Sequence, residues 1–302
     1  APGKVINIPE LSEDAFLTGD GLQLPVRRWL PDNPSAILIA LHGFNDYSRS
    51  FEDPGDFFKE HQIGTYAYDQ RGFGNNIKRG LWSGIASHAR DLIAFTKLVR
   101  AHHPGVPVFL LGESMGGAVI IVAMTSRTPP ESDGIILSAP AVWGRETMPW
   151  YQAILLGIAS HTVPWLKVSG KCLNVKPTDN IKLLQTLSSD PFIIRTTRVD
   201  ALYGLTNLMD AEFRRSSRLT MPTLLLYGKK DQIIPLASTR KMLKRLPPSE
   251  NIHIAFYEKG HHFLLRDLQA KTVLRDIKAW IKKPSKAILP SELIQHTKEL
   301  AH

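Results

Sequence analysis

Ser114 stands in Gly112-Glu113-Ser114-Met115-Gly116, with Gly117 following, where the apolar run "VPVFLL" gives way to the helix-compatible run "MGGAVIIVAM". A serine hydroxyl is a weak nucleophile until a neighbouring base takes its proton, and the base works best when a carboxylate fixes its tautomer. A carboxylate and an imidazole follow in the order such chemistry uses. Asp231 comes 117 residues after Ser114, just beyond the apolar run "TLLLYG", and His262 comes 31 residues after Asp231, just beyond "NIHIAFYEKG". The chemistry these residues allow is acyl transfer through a covalent serine intermediate.

A serine used this way must be lifted out of a sheet on a sharp strand-to-helix turn, with small residues two places before and two places after it so that strand and helix approach closely. Gly112 and Gly116 occupy those places. The amide of Met115, at the start of the next helix, then faces a developing oxyanion. A second donor is expected from the loop after an earlier strand, and "LHGFND" (41–46) supplies the Phe44 N–H. His42, in the same loop, precedes Ser114 by 72 residues, the wrong chain order for the base, so its ring is expected to hold the loop by hydrogen bonds. His261 and His262 are adjacent, and chain spacing does not separate them. His262 directly precedes "FLL", which reads as the start of a helix.

The elements that position these residues alternate in type. Apolar runs at 22–30, 35–43, 64–72, 106–114, 133–140, 222–231 and 251–260 predict strands, the first antiparallel and, because of Pro25, at a sheet edge. Helix-compatible stretches at 51–62, 84–103, 115–127, 236–246 and 263–282 lie between or after them. In the second of these, Ile85, Leu92, Phe95 and Leu98 fall near helical spacing. That alternation predicts an α/β fold, a mostly parallel sheet with helices on both faces. The rhythm breaks from Ala141 to Arg218, where several short helices without strands are expected as a cap over the carboxyl edge of the sheet. The chain therefore divides into 1–140 and 219–302 as two parts of one core, with 141–218 as the cap. Trp143, Trp150, Tyr151 and Trp165 are its candidate substrate-facing residues. The stretch 148–168 suits an acyl-pocket wall or a surface that dips into a lipid interface, and equally the packed underside of a lid.

Composition excludes some classes. The single cysteine, Cys172, rules out an internal disulfide and the usual ligands of a structural zinc site. The net charge of +9 is spread over modest groups at Arg214, Arg215 and Arg218, at Lys241, Lys244 and Arg245, and at Lys282, Lys283 and Lys286, without a nucleic-acid-binding pattern. No run has the length of a membrane span. "DQRGFG" (69–74) lacks the third glycine of a dinucleotide fingerprint, so Asp69 and Arg71 are expected in structural bonds. The chain opens on "APGKV" without an initiator methionine, as a processed or trimmed chain would. The expectation is a soluble protein, cytoplasmic, or periplasmic or secreted after signal removal.

With these residues in place the chain resembles the serine α/β-hydrolases of the lysophospholipase and monoacylglycerol lipase group. "LHGFNDYSRSF", "YDQRGFG", "GESMGG", "GKKDQIIP" and "GHHFLLRDL" fall in that family's order over residues 14–282. The resemblance implies an α/β-hydrolase fold: an eight-stranded, mostly parallel sheet with a helical cap inserted after the sixth strand. It implies a carboxylic-ester hydrolase acting on a monoacyl lipid, with no cofactor and no metal. Ser114 would be the nucleophile, Asp231 the acid and His262 the base. Phe44 and Met115 match the oxyanion positions. The partners implied are a small lipid ester and, transiently, a membrane or micelle surface, with no nucleic acid. A peptidase or amidase of the same fold would need acidic cap residues for a substrate amine, and Asp179, Asp190, Asp200, Asp210 and Glu212 are the candidates. A non-catalytic binding relative would not need all three of Ser114, Asp231 and His262.

Overall fold

The computed structural model describes residues 3–169, 175–284, 289–291 and 294–296; Cys172 and Lys286 lie outside them. The central sheet is built from β1 (Glu10–Leu11), β2 (Ala15–Leu17), β3 (Gln23–Trp29), β4 (Ala36–Leu41), β5 (Ile63–Tyr68), β6 (Val108–Glu113), β7 (Gly134–Ser138), β10 (Thr223–Gly228), β11 (Ile252–Tyr257) and β12 (Ile294–His296). Strands β8 (Lys167–Ser169) and β9 (Thr196–Arg198) form a separate antiparallel ribbon. The helices are α1 (Glu52–Glu60), α2 (Ile85–His102), α3 (Met115–Met124), α4 (Trp150–Thr162), α5 (Ile181–Ser189), α6 (Val199–Arg215), α7 (Leu236–Leu243) and α8 (Ala270–Lys282).

The order across the sheet is β1-β2-β3-β5-β4-β6-β7-β10-β11-β12. Strands β5, β4, β6, β7, β10 and β11 run parallel, while β3 and β12 join antiparallel. Every residue of β4, β5, β6, β7 and β10 is buried, as strands covered on both faces must be. On one face Leu92, Phe95 and Val99 of α2 join apolar residues of α3, α6 and α7. On the other, Phe58 of α1 meets Val273, Ile277 and Trp280 of α8.

Four expectations are corrected. The sheet has ten strands rather than eight, because β1, β2 and β12, of two or three residues each, extend its edges. Such segments are too short for a period to register. The insert accordingly follows the seventh strand. Pro25 is not at an edge: β3 pairs with β2 on one side and β5 on the other. The proline lacks only a donor, and its carbonyl still accepts the Asp69 N–H at 2.9 Å. The segment between β7 and β10 contains the β8–β9 ribbon and the 17-residue helix α6, which has ten buried residues and packs on α3. Finally, no helix starts at Phe263. Residues 261–269 form turns pinned by Asp267, whose carboxylate accepts the N–H groups of His261 at 2.9 Å and Gln269 at 2.7 Å. Leu264 and Leu265 are buried as loop anchors, and α8 begins only at Ala270.

Candidate active site

Strand β6 ends at Glu113 and α3 begins at Met115, leaving Ser114 as the single residue of the turn. Its φ of 52° and ψ of −114° lie where a side chain is strained, at a cost of about 1–3 kcal/mol that the surroundings must offset. They do so with backbone bonds. The Ser114 N–H donates to the Ser138 carbonyl at 2.9 Å, and the Ser114 carbonyl accepts from the N–H groups of Ala118 and Ala141 at 3.2 Å. The flanking glycines answer to packing. A Cβ on Gly112 would collide with the backbone of Gly116 and Gly117, and one on Gly116 with the Leu41 carbonyl. Gly116→Ala is therefore expected to destabilise the protein by about 3 kcal/mol or more, because backbone on both sides cannot give way. Urea unfolding checks this, and a wild-type midpoint would contradict it.

The loop after β4 lies against this turn: a Cβ on Gly43 would sit 3.5 Å from the Ser114 Cβ. His42 is fully buried and engaged at both ring nitrogens. Its Nδ1 donates to the Gly43 carbonyl at 2.8 Å, and its Nε2 accepts the Gln70 N–H at 2.9 Å. Burial, foremost, holds its pKa below the usual value, so the ring is neutral and acts as a loop strut. The Phe44 ring packs edge-on against Phe73 at 5.4 Å and near Trp82 at 6.5 Å. Asn45, at φ 66°, ties the loop to the insert through Thr197 Oγ1 at 2.7 Å and the Ile194 N–H at 3.0 Å. Met115 is the first residue of α3, so its N–H has no acceptor within the helix. Among the described residues the Phe44 N–H has no hydrogen-bond partner either.

Asp231 lies three residues beyond β10. One carboxylate oxygen, Oδ1, accepts the N–H groups of Ile233 at 2.7 Å and Ile234 at 3.0 Å. The other, Oδ2, accepts Nδ1–H of His262 at 2.7 Å. Both side chains are enclosed, at 0% exposure for Asp231 and 4% for His262. Burial, the largest single influence on His262, pulls its pKa down; the Asp231 charge, the hydrogen bond to it and the Glu113 charge together carry it above the ordinary value. With Nδ1 committed to Asp231, Nε2 is the nitrogen available to take a proton. His261 is turned elsewhere, its Nδ1 lying 3.8 Å from Asp179. Among the described residues, Asp179, His261 and Asp267 have the types and proximity to hold an ion. Their carboxylates, however, already accept the backbone N–H groups of Leu268, His261 and Gln269.

Three charged residues behind the site carry no signal in the sequence that links them. Arg266, on the His262 loop, donates from one guanidinium nitrogen to Glu113 Oε1 at 2.7 Å and to Asp46 Oδ2 at 2.8 Å, all three side chains being buried. Asp69 and Arg71 are structural: Asp69 accepts from Ser48 and Asn75, and Arg71 pairs with Asp91 and Asp20.

The four aromatic residues expected to face substrate divide. Trp143 is half-buried against the core, whereas Trp150, Tyr151 and Trp165 are 75%, 50% and 63% exposed. No residue of α4 is fully buried; the helix meets α6 and keeps Ala153, Leu156 and Ala159 half-buried. The small recess beside Phe44 is lined instead by Phe73, Leu81, Trp82, Ile194 and Ala201. Of the acidic residues of the insert, Asp210 is held by Arg145, Asp200 by Arg198, Asp190 by the Tyr47 hydroxyl and the Phe192 N–H, and Asp179 by the Leu268 N–H. Glu212 is fully buried, and burial keeps its carboxyl well above the usual range. Among the described residues no helix is long and apolar enough to cross a membrane.

Comparison with known proteins sets this geometry in a lineage. The chain is 28% identical to a monoacylglycerol lipase of Mycolicibacterium smegmatis, with 89% of this chain and 96% of that protein aligned. It is 28% identical to a monoglyceride lipase of Rattus norvegicus over 91% and 92% of the two chains. A soluble variant of the monoglyceride lipase of Saccharomyces cerevisiae, 20% identical, superposes with a TM-score of 0.77 over 95% of this chain and all of that one, and so shares its fold. Residues 32–269 match the family described as serine aminopeptidase, S33, and the chain, an α/β-hydrolase, belongs to that family.

Proposed function

We propose that the protein is a serine hydrolase that cleaves the carboxylic ester of a monoacyl lipid through an acyl-enzyme on Ser114. The observation that carries this reading is the Asp231–His262 pair, bonded at 2.7 Å, at the same carboxyl edge of the sheet that presents Ser114 at φ 52°. The monoacyl-lipid substrate rests on the lipases of similar sequence.

His262 Nε2 takes the Ser114 hydroxyl proton as Oγ attacks the ester carbonyl carbon. The carbonyl oxygen becomes an oxyanion and is received by the N–H groups of Phe44 and Met115; losing one such donor costs about 10²-fold or more in rate. The intermediate collapses with rupture of the ester C–O bond, and the imidazolium returns the proton to the leaving alcohol. Water, deprotonated by the same nitrogen, then attacks the acyl-enzyme, releasing the carboxylic acid and restoring Ser114. Asp231 holds the tautomer and favours the imidazolium formed at each step.

The aminopeptidase name of the family does not carry over to the substrate. A peptidase site needs a free carboxylate for the substrate amine, and the candidate aspartates of the insert are occupied by partners within the chain. The insert instead works as a cap that meets the lipid. Trp150, Tyr151, Ile154, Leu155 and Ile158 lie on one face of α4 and are all exposed, a surface suited to entering a lipid interface. The net charge of +9 favours an anionic one.

A graded series of soluble esters, a monoacylglycerol, a lysophospholipid and an aminoacyl anilide tests the reading. Hydrolysis is expected to favour the acyl esters, with the anilide left intact; anilide cleavage without ester preference would overturn it. In the same series, replacing Trp150, Ile154 and Leu155 with serine should lower activity on micellar monoacylglycerol several-fold and spare a short soluble ester. Equal losses on both substrates would remove α4 from the interface.

A further inference from the structure

Resting on the acyl-enzyme reading, we propose that Arg266 is a positioning residue that holds the three loops of the site in one mutual geometry. Each of its contacts belongs to a different loop. Glu113 immediately precedes the nucleophile. Asp46 lies two residues beyond Phe44 and closes that loop, its N–H donating to the Gly43 carbonyl and its carboxylate accepting the Tyr47 N–H at 2.8 Å. Arg266 itself lies four residues beyond His262. Its own N–H donates to the Phe263 carbonyl at 2.9 Å, its guanidinium stacks on the Phe263 ring at 4.5 Å, and its carbonyl accepts from Asn180 of the insert at 3.1 Å. The nucleophile, an oxyanion donor and the base thus hang from one guanidinium.

The construction is costly for a purely structural device. Two carboxylates and one guanidinium are buried together, and among the described residues Glu113 Oε2 and Arg266 Nε have no partner. An apolar cluster of the same volume would serve stability as well or better. What an apolar cluster would not supply is direction. One terminal amino group, held in the plane of a guanidinium that stacks on Phe263, donates to both elbow and oxyanion loop and so fixes the angle between them, and a misplacement of about 1 Å among reacting groups costs on the order of 10²-fold in rate. The charges also reach the base. His262 faces Asp231, Glu113 and Arg266, and the two carboxylates favour its imidazolium against burial and the guanidinium.

Two variants of the full chain, assayed on a soluble short-chain p-nitrophenyl ester, test the proposal. The initial burst of nitrophenol counts working sites. Arg266→Lys keeps a charge but loses the plane that stacks on Phe263 and aims the donating nitrogen. Its kcat per titrated site is expected to fall about tenfold or more, within the range a small misplacement costs, while KM stays within about twofold. The triple variant Asp46→Asn/Glu113→Gln/Arg266→Met leaves no buried charge unpaired. Its thermal midpoint is expected to stay near or above that of Arg266→Lys while the kcat deficit persists. Wild-type kcat per titrated site in either variant, whatever its midpoint, would overturn the proposal and leave Arg266 a structural residue. Ester hydrolysis at the wild-type rate by Ser114→Ala would instead overturn the acyl-enzyme reading on which the proposal rests.

Discussion

Ser114→Ala is expected to lower kcat/KM for a soluble ester by about 10⁴-fold or more, the scale seen when a nucleophile of this type is removed. Stability should change little, by about 0.5 kcal/mol or less. Alanine carries the same Cβ into the same φ of 52°, so the strain of the turn is retained, and the backbone bonds to Ser138, Ala118 and Ala141 do not involve the side chain. That pairing of results separates chemistry from folding, because Gly116→Ala should do the reverse and unfold the turn. Steady-state kinetics and urea unfolding on the same preparations read both. Residual activity near wild type in a folded Ser114→Ala protein would remove the nucleophile.

Asp231→Asn is expected to cost about 10⁴-fold in kcat with the fold intact, and the structure explains why so small a change weighs so much. Oδ1 accepts two backbone N–H groups, from Ile233 and Ile234, so the asparagine carbonyl oxygen must take that place. The NH2 group is then left facing His262 Nδ1, where a donor meets a donor. The ring answers by moving its proton to Nε2, the atom that must accept one from Ser114. The pH profile supplies an independent sign. In the wild-type protein the His262 pKa lies above its ordinary value of 6.5. As the proposed base the ring works in its neutral form, so kcat/KM is expected to rise with pH through an inflection above 6.5. The stability that the charged ring draws from Asp231 has the opposite course: it is complete below the unfolded value and lost as pH rises through the raised one. In the asparagine variant burial remains and the main charge opposing it is gone, so the inflection should move down. An unshifted inflection would mean that another group titrates.

The parts of the site legible in the sequence are those that local pattern and chain order encode. Ser114 between spaced glycines, Asp231 after "TLLLYG" and His262 after "NIHIAFYEKG" each stand at the end of an apolar run, and the structure puts them at the carboxyl ends of β6, β10 and β11. His42 was legible too, by its place ahead of the elbow. What escaped depends on contacts between distant residues or on segments without a period. Chain spacing does not set His262 apart from His261; the bond of His262 to Asp231 does so, and the residues after it form turns on the Asp267 carboxylate instead of the helix that "FLL" suggested. Arg266 finds Asp46 and Glu113 across 220 and 153 residues, distances at which a single sequence carries no pairing signal. The aromatic residues of α4 illustrate a third limit. Composition marks them as apolar and says nothing about which side they face, and the structure turns Trp150 and Tyr151 outward.

The central claim is that an acyl group passes through Ser114, and the most direct measurement weighs the intermediate itself. The protein is mixed with a long-chain p-nitrophenyl ester, quenched in acid within the burst, and examined by intact mass and peptide mapping. The account predicts one acyl mass per chain, located on the peptide that carries Ser114 and absent from Ser114→Ala. An acyl group on another residue, or ester turnover that persists in Ser114→Ala at the wild-type rate, would contradict it.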